Sequence, residues 1–195
     1  MIYLFLANGF EEVEALAPLD LLRRAGCEVT TVGVGGDMIR GSHGIAVAAD
    51  IPDTLYADAK PEMIILPGGM PGSKNLDGCR TVDMALKAAV SSNAYIAAIC
   101  AAPFILGKRG LLAGKKAICF PGFENELTGA TIADTRVVRD GRIITAAGMG
   151  VAIEFGLALV AALKGDEVAE QLRRAVLAAC YDTDRSKKAA TPRLP

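Results

Sequence analysis

With 195 residues, and 21 lysines and arginines against 22 aspartates and glutamates, the chain has the size of one ordinary domain and a net charge of −1. Folding on this scale hides about 70% of the unfolded surface. The basic residues form no stripe, which excludes the footprint of a specific nucleic-acid binder or of a protein held on an anionic membrane. The longest apolar stretch, Ala94 to Leu106, is too short and too interrupted to span a bilayer.

The N-terminus opens on an apolar strand, Ile2 to Ala7, without a charged leader region. A helix over about Glu12 to Ala25 follows, then a strand over Glu28 to Val34 and a β-ribbon over Met38 to Val47 that turns at Gly41-Ser42-His43-Gly44. Met63 to Leu66 reads as a buried strand, Thr81 to Val90 as a helix, and Tyr95 to Ile99 as another strand. Thr135 to Thr145 reads as a hairpin with Asp140-Gly141 at its turn. Two helices come after it, over about Gly150 to Leu163 and Glu167 to Cys180, punctuated by Gly165. This alternation predicts an α/β domain over 1–181, with a mostly parallel sheet between helices, and a loose tail over 182–195 rich in Lys, Arg and Pro.

The five cysteines, Cys27, Cys79, Cys100, Cys119 and Cys180, are odd in number and widely spaced, with no C-x-x-C pair. Neither a disulfide framework nor a zinc site is expected, and reduced thiols point to the cytoplasm. The chain holds a single histidine, His43, so a metal site would have to come from carboxylates, and none is expected. Met38 stands where the third glycine of a dinucleotide fingerprint belongs after Gly33 and Gly35, so no nucleotide cofactor is implied.

Three segments carry chemistry. The run from Ala94 ends abruptly at Cys100, and small residues and Pro103 follow. This is a strand-to-helix elbow, which would hold a thiol at the carboxyl edge of the sheet, where a helix start favours the thiolate. Packing is the better reading for the other four cysteines. Glu14 shares a helical face with Ala17, Pro18, Leu21 and Ala25. A carboxylate buried there without a cation has a raised pKa suited to proton transfer, unless it only bonds local amides at the helix start. Pro18 removes the N–H that would bond the carbonyl of Glu14, so a local distortion is expected. The paired glycines of Leu66-Pro67-Gly68-Gly69 can present amides to an oxyanion, although a plain turn explains them equally well.

Glu14 within Glu11-Glu12-Val13-Glu14, the Leu66-Pro67-Gly68-Gly69 loop, and Ala97-Ala98-Ile99-Cys100-Ala101-Ala102-Pro103 stand in the order and spacing of the ThiJ/PfpI superfamily. Within it the chain resembles the branch of the Parkinson-disease deglycase and its bacterial YajL-like relatives. The likeness runs over nearly the whole chain, including Asn75-Leu76 and Ile153-Glu154-Phe155-Gly156-Leu157-Ala158. The resemblance implies a flavodoxin-like sandwich and a homodimer. It also implies Cys100 as nucleophile, Glu14 as the protonated carboxyl contacting it, Gly69 and Ala101 as oxyanion amides, and Gly68 as part of the pocket. Asp20 and Arg24 would meet the partner's ribbon, and His43 stands where relatives often carry arginine. Read alone, His43 is a solvated loop residue; in the implied dimer it borders the neighbouring site. Phe120 occupies the place where some relatives carry histidine, which argues against a Cys-His dyad within one subunit. Gly148-Met149-Gly150-Val151 replaces a Gly-Pro-Gly-Thr turn and alters the pocket wall. The activity implied is cofactor-free conversion of methylglyoxal or glyoxal to a hydroxy acid, or deglycation of their adducts. An oxidative-stress sensor or redox-regulated chaperone working through the same cysteine is the alternative, and a catalytically silent member is a third.

Overall fold

The computed structural model describes residues 1–178. A seven-stranded sheet is built from β1 (Ile2–Ala7), β2 (Val29–Val34), β5 (Ile51–Pro52), β6 (Met63–Leu66), β7 (Tyr95–Ile99), β10 (Val137–Asp140) and β11 (Ile143–Ala146). Their order is β10-β11-β7-β6-β1-β2-β5, and every pairing is parallel except that of β10 with β11. The chain is thus α/β, with a mostly parallel sheet flanked by helices, as the alternation predicts.

Period-two alternation assigns each side chain of the central strands to one of two cores. Ile2, Leu4 and Leu6 of β1, Met63 and Ile65 of β6, and Ala97 and Ile99 of β7 face one layer. That layer holds α1 (Glu12–Arg24), α5 (Ala152–Lys164) and α6 (Asp166–Ala175). Phe5 and Ala7, Ile64 and Leu66, and Ile96 and Ala98 face the other layer, with α2 (Gly72–Asp77), α3 (Arg80–Ser91) and α4 (Pro103–Lys108). Both faces being covered explains why these strands read as continuous apolar runs.

The ribbon of β3 (Met38–Arg40) and β4 (Ala46–Ala48) pairs antiparallel, outside the main sheet. The Asp140-Gly141 turn also forms, but its second strand, β11, does more than close a hairpin, since it lies parallel to β7 within the main sheet. Missing from the sequence reading are the two-residue strand β5 and the parallel pair of β8 (Lys116–Ala117) and β9 (Thr131–Ile132). Cys119 is buried just beyond β8, in keeping with a packing role. Cys27 is buried behind α1, and Cys79 caps the start of α3. Cys180 and the tail expected from 182 lie outside the described residues. Among the described residues no helix is long and apolar enough to cross a membrane.

The topology also places the point at which the strand order reverses. After β1 the chain moves outward to β2 and later returns to set β6 on the opposite side of β1. The carboxyl ends of β1 and β6 therefore flank a switch point, the crevice where open α/β sheets take ligands.

Candidate active site

Cys100 follows β7 directly and adopts φ +64, a left-handed backbone that a residue with a Cβ enters at a cost of about 1–2 kcal/mol. Two backbone bonds pin that conformation. Its N–H donates to the Ala146 carbonyl at 2.8 Å, and its carbonyl accepts the Phe120 N–H at 2.8 Å. The sharp turn leaves the side chain at the sheet edge, where Ala101 and Gly69 present their amides to the sulfur.

Glu14 comes to the same point from α1. It is 1% exposed, and its Oε2 accepts the Gly68 N–H at 3.0 Å, with the Met149 amide as a second donor and the Cys100 thiol as a third contact. The carboxyl does not bond the local amides of its own helix start. Glu11 takes that task, its Oε2 accepting the Glu14 N–H at 2.7 Å as the N-cap. Gly68 has to be glycine, because a Cβ there would overlap Glu14 Oε2 and stand 2.6 Å from Cys100 Cβ. Gly69, at φ +88, turns its amide toward the sulfur in a conformation that glycine enters freely.

Burial without a cationic partner pushes the Glu14 carboxyl up to about 7, against the bonds from Cys100, Gly68 and Met149. The thiol moves opposite to what the helix start led us to expect. Burial, followed by the charge and the hydrogen bond of Glu14, pushes Cys100 up to about 12 and outweighs the amides of Ala101 and Gly69. A six-residue helix offers little dipole to set against a carboxylate in contact. Near neutral pH the pair therefore holds between one and two protons, and a neutral Glu14 is the state in which the sulfur is least opposed in ionising.

The structure brings together Glu14, Gly68, Gly69, Cys100 and Ala101, with Phe120 and Gly148 beside them; a Cβ on Gly148 would lie 3.3 Å from the Phe120 ring. It does not bring His43 to this cysteine. His43 Nδ1 lies 2.9 Å from Glu12 Oε2 of the same chain, and the ring is otherwise exposed. Asp20 and Arg24 pair with each other at 2.6 Å on an exposed stretch of α1, lining a cleft with Gly150, Ile153 and Glu154. Glu12 was missed from sequence, since it looks like an ordinary acidic first turn; only its adjacency to the ribbon's Gly-Ser-His-Gly turn in space marks it. Glu11, Glu12 and His43 have ligand atoms within 4.8 Å of one another and are the grouping of described residues that a cation could use.

A family model described as the DJ-1/PfpI family matches residues 1–162. DJ-1 homolog A of Arabidopsis thaliana is 39% identical over 176 residues, covering 88% of this chain but only 45% of that protein. The chain thus spans less than half the length of that relative. A protein named glutathione-independent glyoxalase DJR-1.2, from Caenorhabditis elegans, is 34% identical over 83% of this chain and 87% of its own length. A structure of oxidized DJ-1 from Toxoplasma gondii superposes with a TM-score of 0.87 at 33% identity, over 90% of this chain and 97% of that one. Sequence, fold and the order of the three converging segments agree: the chain belongs to the DJ-1/PfpI family.

Proposed function

We propose that the protein is a cofactor-independent enzyme acting on reactive dicarbonyls such as methylglyoxal and glyoxal, or on their adducts. The observation that carries the reading is the buried Glu14 carboxyl, pushed up to about 7, in contact with Cys100 on its strained elbow. A general base poised near the working pH gives the best compromise between availability and driving force. The relative named as a glutathione-independent glyoxalase supports the same chemistry.

In this mechanism Cys100 adds its sulfur to the aldehyde carbon, and the Gly69 and Ala101 amides bond the developing alkoxide; the thiol proton passes by way of Glu14 to that oxygen, which completes the hemithioacetal and leaves Glu14 a carboxylate again. Glu14 then moves a proton from the former aldehyde carbon to the neighbouring carbon through an enediol. The hemithioacetal thereby becomes a thioester of the hydroxy acid. Water cleaves the thioester and returns the thiol. The redox change is internal to the substrate, so every step uses only acid-base and nucleophilic groups. We extend the reading to a cytoplasmic homodimer in which Asp20 and Arg24 of α1 face the partner's ribbon.

The test is lactate formation from methylglyoxal by purified protein without glutathione or added metal, with Cys100→Ser alongside. Turnover by wild type and its loss in Cys100→Ser support the reading; equal turnover by both overturns it. A second reading, an oxidative-stress sensor or redox-regulated chaperone, draws on the oxidized Toxoplasma gondii relative. It expects Cys100 to oxidise first under mild peroxide, with no dicarbonyl turnover.

A further inference from the structure

Of the two buried carboxylates among the described residues, the mechanism uses Glu14 and leaves Glu12 unused. Glu12 is 3% exposed, yet it makes no contact with the reacting thiol and instead faces the ribbon turn. Its Oε1 accepts the His43 N–H at 2.8 Å and the Ile45 N–H at 3.4 Å. Its Oε2 meets His43 Nδ1 at 2.9 Å and the Ser42 hydroxyl at 3.5 Å. Burial alone would push this carboxyl up. The bonds from the His43 ring, from its own backbone and from the His43 and Ile45 amides outweigh it and hold Glu12 down to about 2. The turn wraps so closely that a Cβ on Gly41 would overlap the carboxyl group.

The same ribbon is zipped to the loop before α1. Gly9 N–H donates to the Arg40 carbonyl at 2.8 Å, Arg40 N–H to Asn8 Oδ1 at 2.8 Å, and Ser42 N–H to the Phe10 carbonyl at 2.8 Å. On its other side that loop grips the glycine loop of the active site. Glu11 N–H donates to the Gly68 carbonyl at 3.0 Å, Gly72 N–H to the Gly9 carbonyl at 3.1 Å, and Asn75 Nδ2 to the Asn8 carbonyl at 2.8 Å. A Cβ on Gly69 would overlap the Glu11 amide nitrogen, so the two loops are in backbone contact where one oxyanion amide sits.

We propose that Glu12 is a positioning residue for the thiol site: its buried carboxylate clasps the Gly41–Ile45 turn, and the clasped ribbon presses the Asn8–Glu11 backbone against the Gly68–Gly72 loop so that the Gly69 amide stays aimed at the Cys100 sulfur. The consequence for turnover rests on the dicarbonyl reading above. The consequence for the thiol does not.

The test compares Glu12→Ala with Glu12→Gln and Gly41→Ala, reading the rate of Cys100 alkylation by iodoacetamide at pH 8 by peptide mass spectrometry. Glu12→Ala releases the turn, the Gly69 amide drifts off the sulfur, and alkylation slows about threefold or more, equivalent to a rise of about half a unit in the thiol's pKa. Glu12→Gln rescues the rate to within about twofold, because its carbonyl oxygen accepts the two amides and its NH2 group reaches the ring nitrogen. Gly41→Ala pushes the turn off the carboxylate with every charge in place, and slows alkylation as Glu12→Ala does. A purely electrostatic role gives the opposite sign, since removing a nearby negative charge speeds thiolate formation in both Glu12 variants. Mere loosening also speeds alkylation, by exposing the sulfur. Faster or unchanged alkylation in both Glu12→Ala and Gly41→Ala overturns the proposal. Should Glu12→Ala fail to fold, His43→Ala at the exposed ring replaces it and shows a smaller slowing of the same sign. Methylglyoxal turnover in Glu12→Ala falls on the order of tenfold, mainly in kcat. If wild type turns over no dicarbonyl, the proposed function fails while the alkylation rates still decide the clasp.

Discussion

Glu14→Gln makes the folded protein more stable at alkaline pH while disabling its chemistry. The carboxyl ionises near its usual 4.5 when the chain is unfolded and at about 7 in the 1%-exposed site, because burial opposes the charge. The folded state therefore binds the extra proton over that window. The contribution of this one group to stability is greatest below pH 4.5, falls as pH rises toward 7, and stays low above it. At about 1.4 kcal/mol per pH unit, the gap between 4.5 and about 7 amounts to about 3 kcal/mol. Glutamine is never charged. Its oxygen can accept the Gly68 amide and its NH2 group can donate to the Cys100 sulfur, so it mimics the protonated acid. Denaturant titrations of wild type and variant at pH 4, 6 and 8 check this. Near pH 4 the two match to within about 1 kcal/mol, and by pH 8 the variant leads by about 3 kcal/mol, or roughly 6–12 °C in Tm. Turnover of methylglyoxal falls by on the order of 10²–10⁴-fold over the same range. A stability difference that does not change with pH, or a variant less stable than wild type at pH 8, would refute the ionisation assigned to Glu14.

Gly68→Ala drives a methyl group onto Glu14 Oε2 and to 2.6 Å from Cys100 Cβ; we expect a loss of about 1–3 kcal/mol of stability in denaturant titrations, and turnover lower by at least about 100-fold. His43, as the single histidine, gives one resolvable NMR titration. The bond to Glu12 raises its pKa above 6.5, so whatever stabilisation the charged pair supplies is complete below pH 6.5 and is lost as pH rises through the folded value. A midpoint at or below 6.5 in wild type contradicts the pairing, and Glu12→Gln lowers the midpoint. Light scattering at micromolar concentration should give the mass of two chains. A monomer mass removes the dimer, and with it the role given to Asp20 and Arg24.

Much of the fold is legible because its signals are local. β1, β6 and β7 are continuous apolar runs bounded by turn residues, and the cores on both faces of the sheet need nothing else from them. The elbow at Cys100 is a short-range pattern of strand end, small residues and proline, and Glu14 stands out as a carboxylate on an otherwise apolar face. Strands of two residues, such as β5, β8 and β9, are too short for any periodicity to register, so they stay hidden. The DJ-1/PfpI resemblance rests on the same local motifs, which is why it too can be read from the chain.

What only the tertiary structure decides is how these groups act on one another. Glu12 and His43 are 31 residues apart, and each looks ordinary in its own segment, one an acidic first turn and the other a polar hairpin turn. Backbone bonds that no side-chain pattern encodes bring them together. The ionisation of Cys100 is decided in the same way. A helix start argues for the thiolate from sequence, but the sign depends on burial and on the distance to a carboxylate from another helix. A nearby charge acts through space, with a strength set by separation and by excluded water, and neither quantity is written along the chain.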